Sequence, residues 1–186
     1  MTFTSKLAIA GMALALILAP VPSVFAQVEA KPAGDASPVF VVDTPSFLAQ
    51  TMSSNQFEIQ SSQLAKEQDQ DAAIVDVADM IIADHTKAGE KLEALLADHP
   101  AKPAEPAGLS PNHQKMLDQL QAAEGAYFKA LYLDMQVQAH MEAVALLRTY
   151  AGSGDDQTLV GFARETLPVL ETHLAHVTAI VHGDSH

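Results

Sequence analysis

The chain has 186 residues, with 23 acidic against 10 basic side chains for a net charge of −13, and contains neither cysteine nor tryptophan. Without cysteine there is no disulfide, no thiolate metal site and no cysteine nucleophile, and the acidic balance argues against nucleic acid or anionic lipid as a partner, since both repel it. Few aromatics and abundant Ala, Leu, Gln, Glu and Asp point to helices, at a length that suits one domain behind a leader.

The first 26 residues read as a cleaved signal peptide. Lys6 precedes an apolar run from Leu7 to Leu18, then come Pro20 and Pro22, and Ser23-Val24-Phe25-Ala26 offers the small residues that a signal peptidase reads. The run is shorter than the ~20 apolar residues of a membrane span. Cleavage after Ala26 is therefore expected to leave an exported, periplasmic protein with no integral membrane segment. From Gln27 to about Asp43, Pro, Ala and Val without helical period predict a disordered leader.

A first helix is predicted from Thr44, a good N-cap with Pro45 at the first position, to about Lys66. Its inward face has apolar edges (Phe47, Phe57 and Leu64; Leu48, Met52 and Ile59) around a polar middle that includes Thr51, Asn55, Glu58, Ser61 and Ser62. A second helix begins near Asp69 to Asp71 and ends near Asp98. Its stripe of Ile74, Val77, Ile81, Leu92 and their neighbours encloses His85, with Asp84 beside it. Pro100, Pro103, Pro106 and Gly108 make the next segment a loop, long enough to cross the end of a bundle. Ser110 and Pro111 open a third helix that runs to about Tyr150, bent or interrupted at Gly125, with His140 inside the stripe Leu133, Val137, Val144 and Leu147. After the turn Gly152-Ser153-Gly154-Asp155-Asp156, a fourth helix capped by Asp155 or Asp156 carries Leu159, Phe162, His173 and Val177 on one face. Pro168 is expected to kink it. Residues 183–186 form a tail.

Four helices joined by short, long and short connections predict an all-α four-helix bundle over residues 44–182. Glu58 and His85 lie equally far from the turn near residue 71, and His140 and His173 equally far from the turn near residue 156. One polar layer could thus hold all four. A carboxylate and three neutral imidazoles suit one divalent transition metal such as zinc, with iron, copper or nickel as alternatives; a small ligand held by the same four residues in the bundle centre is the other occupant they allow. Asp84, Glu142 and His176 are candidates to orient those ligands from behind. The competing reading has no metal: the four form a buried Glu/His hydrogen-bond network that fixes packing in a helical interaction module, whose partner is another envelope protein. No nucleophile–base set or phosphate loop is visible, which points away from an enzyme.

Certain pieces are shared with a known family: Phe57-Glu58-Ile59 with Leu64-Ala65; Asp84-His85-Thr86-Lys87-Ala88; His113-Gln114; Gly125 with Phe128 and Tyr132; His140 with Ala143-Val144; and Thr166-Leu167-Pro168 with His173-Leu174. From about Phe47 to Ile180 the chain resembles domain-of-unknown-function family 4142, a bacterial exported family often labelled as outer membrane proteins. The resemblance implies a ferritin-like four-helix fold and brings no established activity. This chain has Ala139 where the family tends to have Asp, Gly89 where it has Asn, and Lys129 where it has Asp. Di-iron sites in ferritin-like folds use Glu-x-x-His. Here Ile82 stands three before His85 and Leu170 three before His173, so a di-iron centre is not expected. Metal handling or envelope stress tolerance is the expected role.

Overall fold

The computed structural model describes residues 42–69, 71–104 and 108–183. Among them are five helices and no strand: α1 (Thr44–Gln68), α2 (Ala72–Leu96), α3 (Pro111–Gln121), α4 (Gly125–Ser153) and α5 (Gln157–His182). The expected signal peptide, its cleavage site, nearly all of the leader and the tail beyond Gly183 lie outside the described residues. Among the described residues no helix is long and apolar enough to cross a membrane.

Short polar side chains start most of these helices by accepting the N–H groups that a first turn leaves unpaired. Asp71 accepts from Ala73 at 3.0 Å, Ser110 from His113 at 3.2 Å, and Asp156 from Thr158 and Leu159. At α1 the cap is Asp43, which accepts from Ser46 at 2.9 Å, and not Thr44 as expected. The Thr44 hydroxyl is engaged elsewhere, with Tyr150 and Asp155.

The third predicted helix is two helices. The chain leaves the helix at Ala122–Glu124 and re-enters at Gly125, whose φ of +55° lies in the left-handed region where a side chain is disfavoured. Helix α5 continues through Pro168 without a break.

Helix α1 packs on α2 and α4, and α5 packs on α4 and α2, so the four long helices close a ring, with α3 laid against α1 and α4. The connection between α2 and α3 reaches back to the start of α1, where Ala104 N–H donates to the Pro45 carbonyl at 2.9 Å. Inside the ring the apolar core is divided. One cluster, including Phe57, Ile81, Tyr132 and Val177, fills the end near the α1–α2 turn. The other, including Phe47, Leu92, Leu147 and Phe162, fills the end near the α4–α5 turn. Buried between them are Glu58, His85, Gln136, His140 and His173. An apolar side chain at any of these positions would contribute about 1.5–3 kcal/mol by burial, so a polar layer here is maintained against stability.

Candidate metal centre

The helical stripes that build the two cores also aim the histidines. His85 follows Ile81 by one turn on α2, His140 precedes Val144 by one turn on α4, and His173 precedes Val177 by one turn on α5. Residues four apart share a helix face, so burying the neighbours buries the imidazoles. Their ring centroids lie 5.6 Å (His85 and His140), 5.6 Å (His85 and His173) and 5.4 Å (His140 and His173) apart. One ring nitrogen from each falls within 4.8 Å of the others.

The outward nitrogens decide where the protons are. His140 Nδ1 is 2.9 Å from the Gln136 carbonyl and donates to it. His173 Nε2 is 3.0 Å from Asp84 Oδ2 and donates to that carboxylate. His85 Nδ1 is 3.1 Å from Asn55 Oδ1 and donates to it. A neutral imidazole carries one N–H, so His140 Nε2, His173 Nδ1 and His85 Nε2 are left as lone pairs. His140 Nε2 and His173 Nδ1 stand 3.4 Å apart, while His85 Nε2 is buried without a hydrogen-bond partner. Burial holds all three rings neutral. His85 is pushed well below the usual histidine range by burial and then by its two neighbours. His140 is pushed down to about 4 by burial, against the pull of the Gln136 carbonyl. Burial also lowers His173, against the opposing pull of Asp84.

Glu58 enters the same layer from another side. Its Oε1 is 3.3 Å from His140 Nδ1, the nitrogen facing away from His173. The proton there is directed at the Gln136 carbonyl, and neither Glu58 oxygen has a well-aligned hydrogen bond. Burial pushes the carboxyl up to about 8, with the Gln136 amide pulling it back, so at neutral pH Glu58 is mostly an uncharged acid. Three of the four residues expected in the layer therefore converge, and Glu58 stands behind His140.

Of the three expected supporting residues, Asp84 reaches a histidine, and it serves His173 across the helix interface, not its own neighbour His85. Glu142 is exposed and accepts from Gln138 at 3.0 Å. His176 is exposed, and its charge lowers His173 slightly. Two supports were not foreseen in these roles. Asn55 was visible only as part of the polar face of α1. The Gln136 carbonyl had one available signal, its position one turn before His140. A separate network joins α1 to α3, where Ser110 N–H donates to Ser53 Oγ at 2.7 Å and the Ser53 hydroxyl is hydrogen-bonded with His113 Nδ1 at 2.6 Å.

Three neutral imidazole nitrogens with their far nitrogens anchored form a donor set for a borderline transition metal, with the outer partners fixing each ring's tautomer. Two ligands on a tetrahedral zinc stand about 3.4 Å apart, the separation that His140 and His173 already have.

Neither curated proteins nor solved structures yield a match to the chain. A family model described as Domain of unknown function (DUF4142) matches residues 29–180, and the chain belongs to that family.

Proposed function

We propose that this chain is an exported, periplasmic protein that holds one divalent transition metal, zinc foremost, on His85, His140 and His173 inside a ferritin-like four-helix bundle, and that it serves metal handling in the envelope. The proton placement supports the site most directly. Hydrogen bonds to Asn55, Gln136 and Asp84 turn three lone pairs inward, and a cation bound between them would relieve their mutual repulsion at all three at once. The ring of four long helices, with its long connection between α2 and α3, supports the ferritin-like reading, because that fold has one long crossover. The apolar run from Leu7 and the small residues before Gln27 support export.

The second reading is an interaction module without metal, docking another envelope protein, whose buried polar layer fixes helix register. The short approach of His140 Nε2 to His173 Nδ1 favours it, since a shared proton would also join those rings.

Elemental analysis and zinc titration separate the two. The protein is used with His182→Asn and His186→Asn, which removes adventitious binding, and His85→Ala and His140→Ala are compared in that background. One zinc per chain, lost in both variants, is expected. Unchanged metal content in both, or a melting temperature indifferent to zinc, would sink the metal site.

A further inference from the structure

The three histidines have unequal surroundings on their two sides. One turn toward the α1–α2 end, a large side chain stands over each of them: Ile81 on α2, Gln136 on α4 and Val177 on α5, all fully buried. One turn toward the α4–α5 end stand Ala88, Ala143 and Leu170, and all three line a cavity of about 640 Å³. Residues three or four apart share a helix face, so this cavity begins directly against the imidazole layer. His85 is itself part of its wall. Two of the three flanking side chains are alanines, which leave room where their counterparts on the other side fill it.

The cavity also reaches solvent. Its lining runs from buried His85 and Leu92 to Lys87, Glu93 and Glu165, which are exposed. Protein interiors pack as densely as organic crystals, so a passage of this size from a buried polar layer to the surface is not what packing alone produces.

The donor set is short by one. Among the described residues, the ligand atoms that come within 4.8 Å of one another at this point belong to His85, His140 and His173 alone. Structural zinc sites have four protein ligands, whereas sites with three keep the fourth position for water or substrate. The two nearby carboxyl groups stand on the far side of the rings. Glu58 Oε1 is 3.3 Å from His140 Nδ1 and Asp84 Oδ2 is 3.0 Å from His173 Nε2, the nitrogens turned away from the shared point. Three neutral imidazoles leave a divalent ion with its full charge in a buried layer, where uncompensated charge is costly. The ligand that completes such a centre is therefore an anion, and a small one, because the space next to the layer is the gap beside Ala88 and Ala143. With two lysines against three acids along its lining, the passage itself carries little net charge, and the ion at its end decides the sign of the ligand.

We infer that the metal centre is open, with its fourth coordination position facing the cavity and taking a small monodentate anion from solvent, hydroxide in water alone. This rests on the three-histidine metal reading and adds that the ion is held for exchange or reaction, not enclosed as a structural ion.

Cobalt(II) in place of zinc reports that position through its visible absorption. Full-length protein with His182→Asn and His186→Asn is loaded with cobalt and titrated with sodium azide. The spectrum should change saturably, with one azide per cobalt. Ala88→Leu, which extends from α2 into the space next to the histidines, should keep cobalt uptake and weaken azide binding by roughly tenfold or more. Ala143→Leu fills the same space from α4 and takes its place if Ala88→Leu does not fold. A cobalt spectrum that azide leaves unchanged would mean that the protein supplies the fourth ligand, which overturns the open position while the three-histidine site stands. An equal azide response in the parent and the filled variant overturns the cavity as the side on which the position opens. No uptake of cobalt or zinc, or uptake indifferent to His85→Ala, sinks the metal reading itself and the open position with it.

Discussion

His140 Nε2 and His173 Nδ1 face each other at 3.4 Å, each deprotonated because its opposite nitrogen donates to Gln136 or to Asp84. Two helices thus present lone pairs to one point, at a level between two apolar cores that hold α4 and α5 together. The backbone carbonyl of Gln136 cannot change role, so the tautomer of His140 is built into α4. Asp84 does the corresponding task for His173 from α2, and it is the side chain most open to a direct test.

Replacing Asp84 by Asn removes the acceptor charge that holds the His173 N–H outward. Zinc affinity, measured by competition with a chromophoric chelator, should fall 10–100-fold, the usual cost of losing such a support. His176→Gln is the control. It is exposed and makes no hydrogen bond to His173, so affinity should stay within about twofold. Equal losses in both variants would show that Asp84 acts only through the general field.

Stability should depend on pH through these rings. The folded-state values of His85, His140 and His173 are all depressed. Their stabilising contribution is therefore complete above the unfolded value of about 6.5 and is lost as pH falls below it. For His140, lowered from 6.5 to about 4, the loss over that window is on the order of 3 kcal/mol. Urea unfolding of zinc-free protein between pH 7 and pH 4 checks it, and a flat midpoint across that range would contradict the burial of neutral rings.

Glu58 produces the opposite slope. Its folded value is raised from 4.5 to about 8, so the contribution of this group is complete below 4.5 and declines as pH rises to about 8. The two trends together place the stability maximum of zinc-free protein near pH 6.5, because three histidines outweigh one acid below that point and the acid acts alone above it. Glu58→Gln should abolish the decline on the alkaline side and gain on the order of 5 kcal/mol at pH 9. An alkaline decline that persists in this variant would assign it to another group.

Much of this arrangement is legible in the sequence, for a physical reason. His85, His140 and His173 stand at i, i+3, i+4 positions of apolar stripes, and the turns at Asp69–Asp71 and Gly154–Asp156 lie midway between the residues they bring level. Periodicity plus turn position is enough to predict a shared layer. What periodicity does not carry is the direction of a side chain within that layer. Glu58 is on the expected face yet turns behind His140, and Asp84 passes over its own neighbour to reach His173. The choice of Asp43 over Thr44 as the α1 cap depends on Tyr150, a residue 106 positions away, which no local pattern reveals. Gly125 marked the break between α3 and α4 because glycine alone enters a helix from φ +55° without strain.

Gly89 couples the site to helix stability. A Cβ built there would come within 2.9 Å of Asn55 Nδ2, and Asn55 supplies the acceptor that orients His85. Gly89 lies inside α2, where alanine improves helix propensity by up to about 1 kcal/mol. The Asn55 amide must move aside, and the buried His85 N–H then loses its acceptor at about 1–3 kcal/mol, more than the propensity gain, so Gly89→Ala should unfold at lower urea concentration than the parent. Zinc affinity should drop about tenfold, because the ring is no longer oriented by that hydrogen bond. Asn55→Ala, which removes the same acceptor without the helix gain, should lose at least as much of both. Zinc affinity unchanged in both variants would show that Asn55 does not hold His85 for metal.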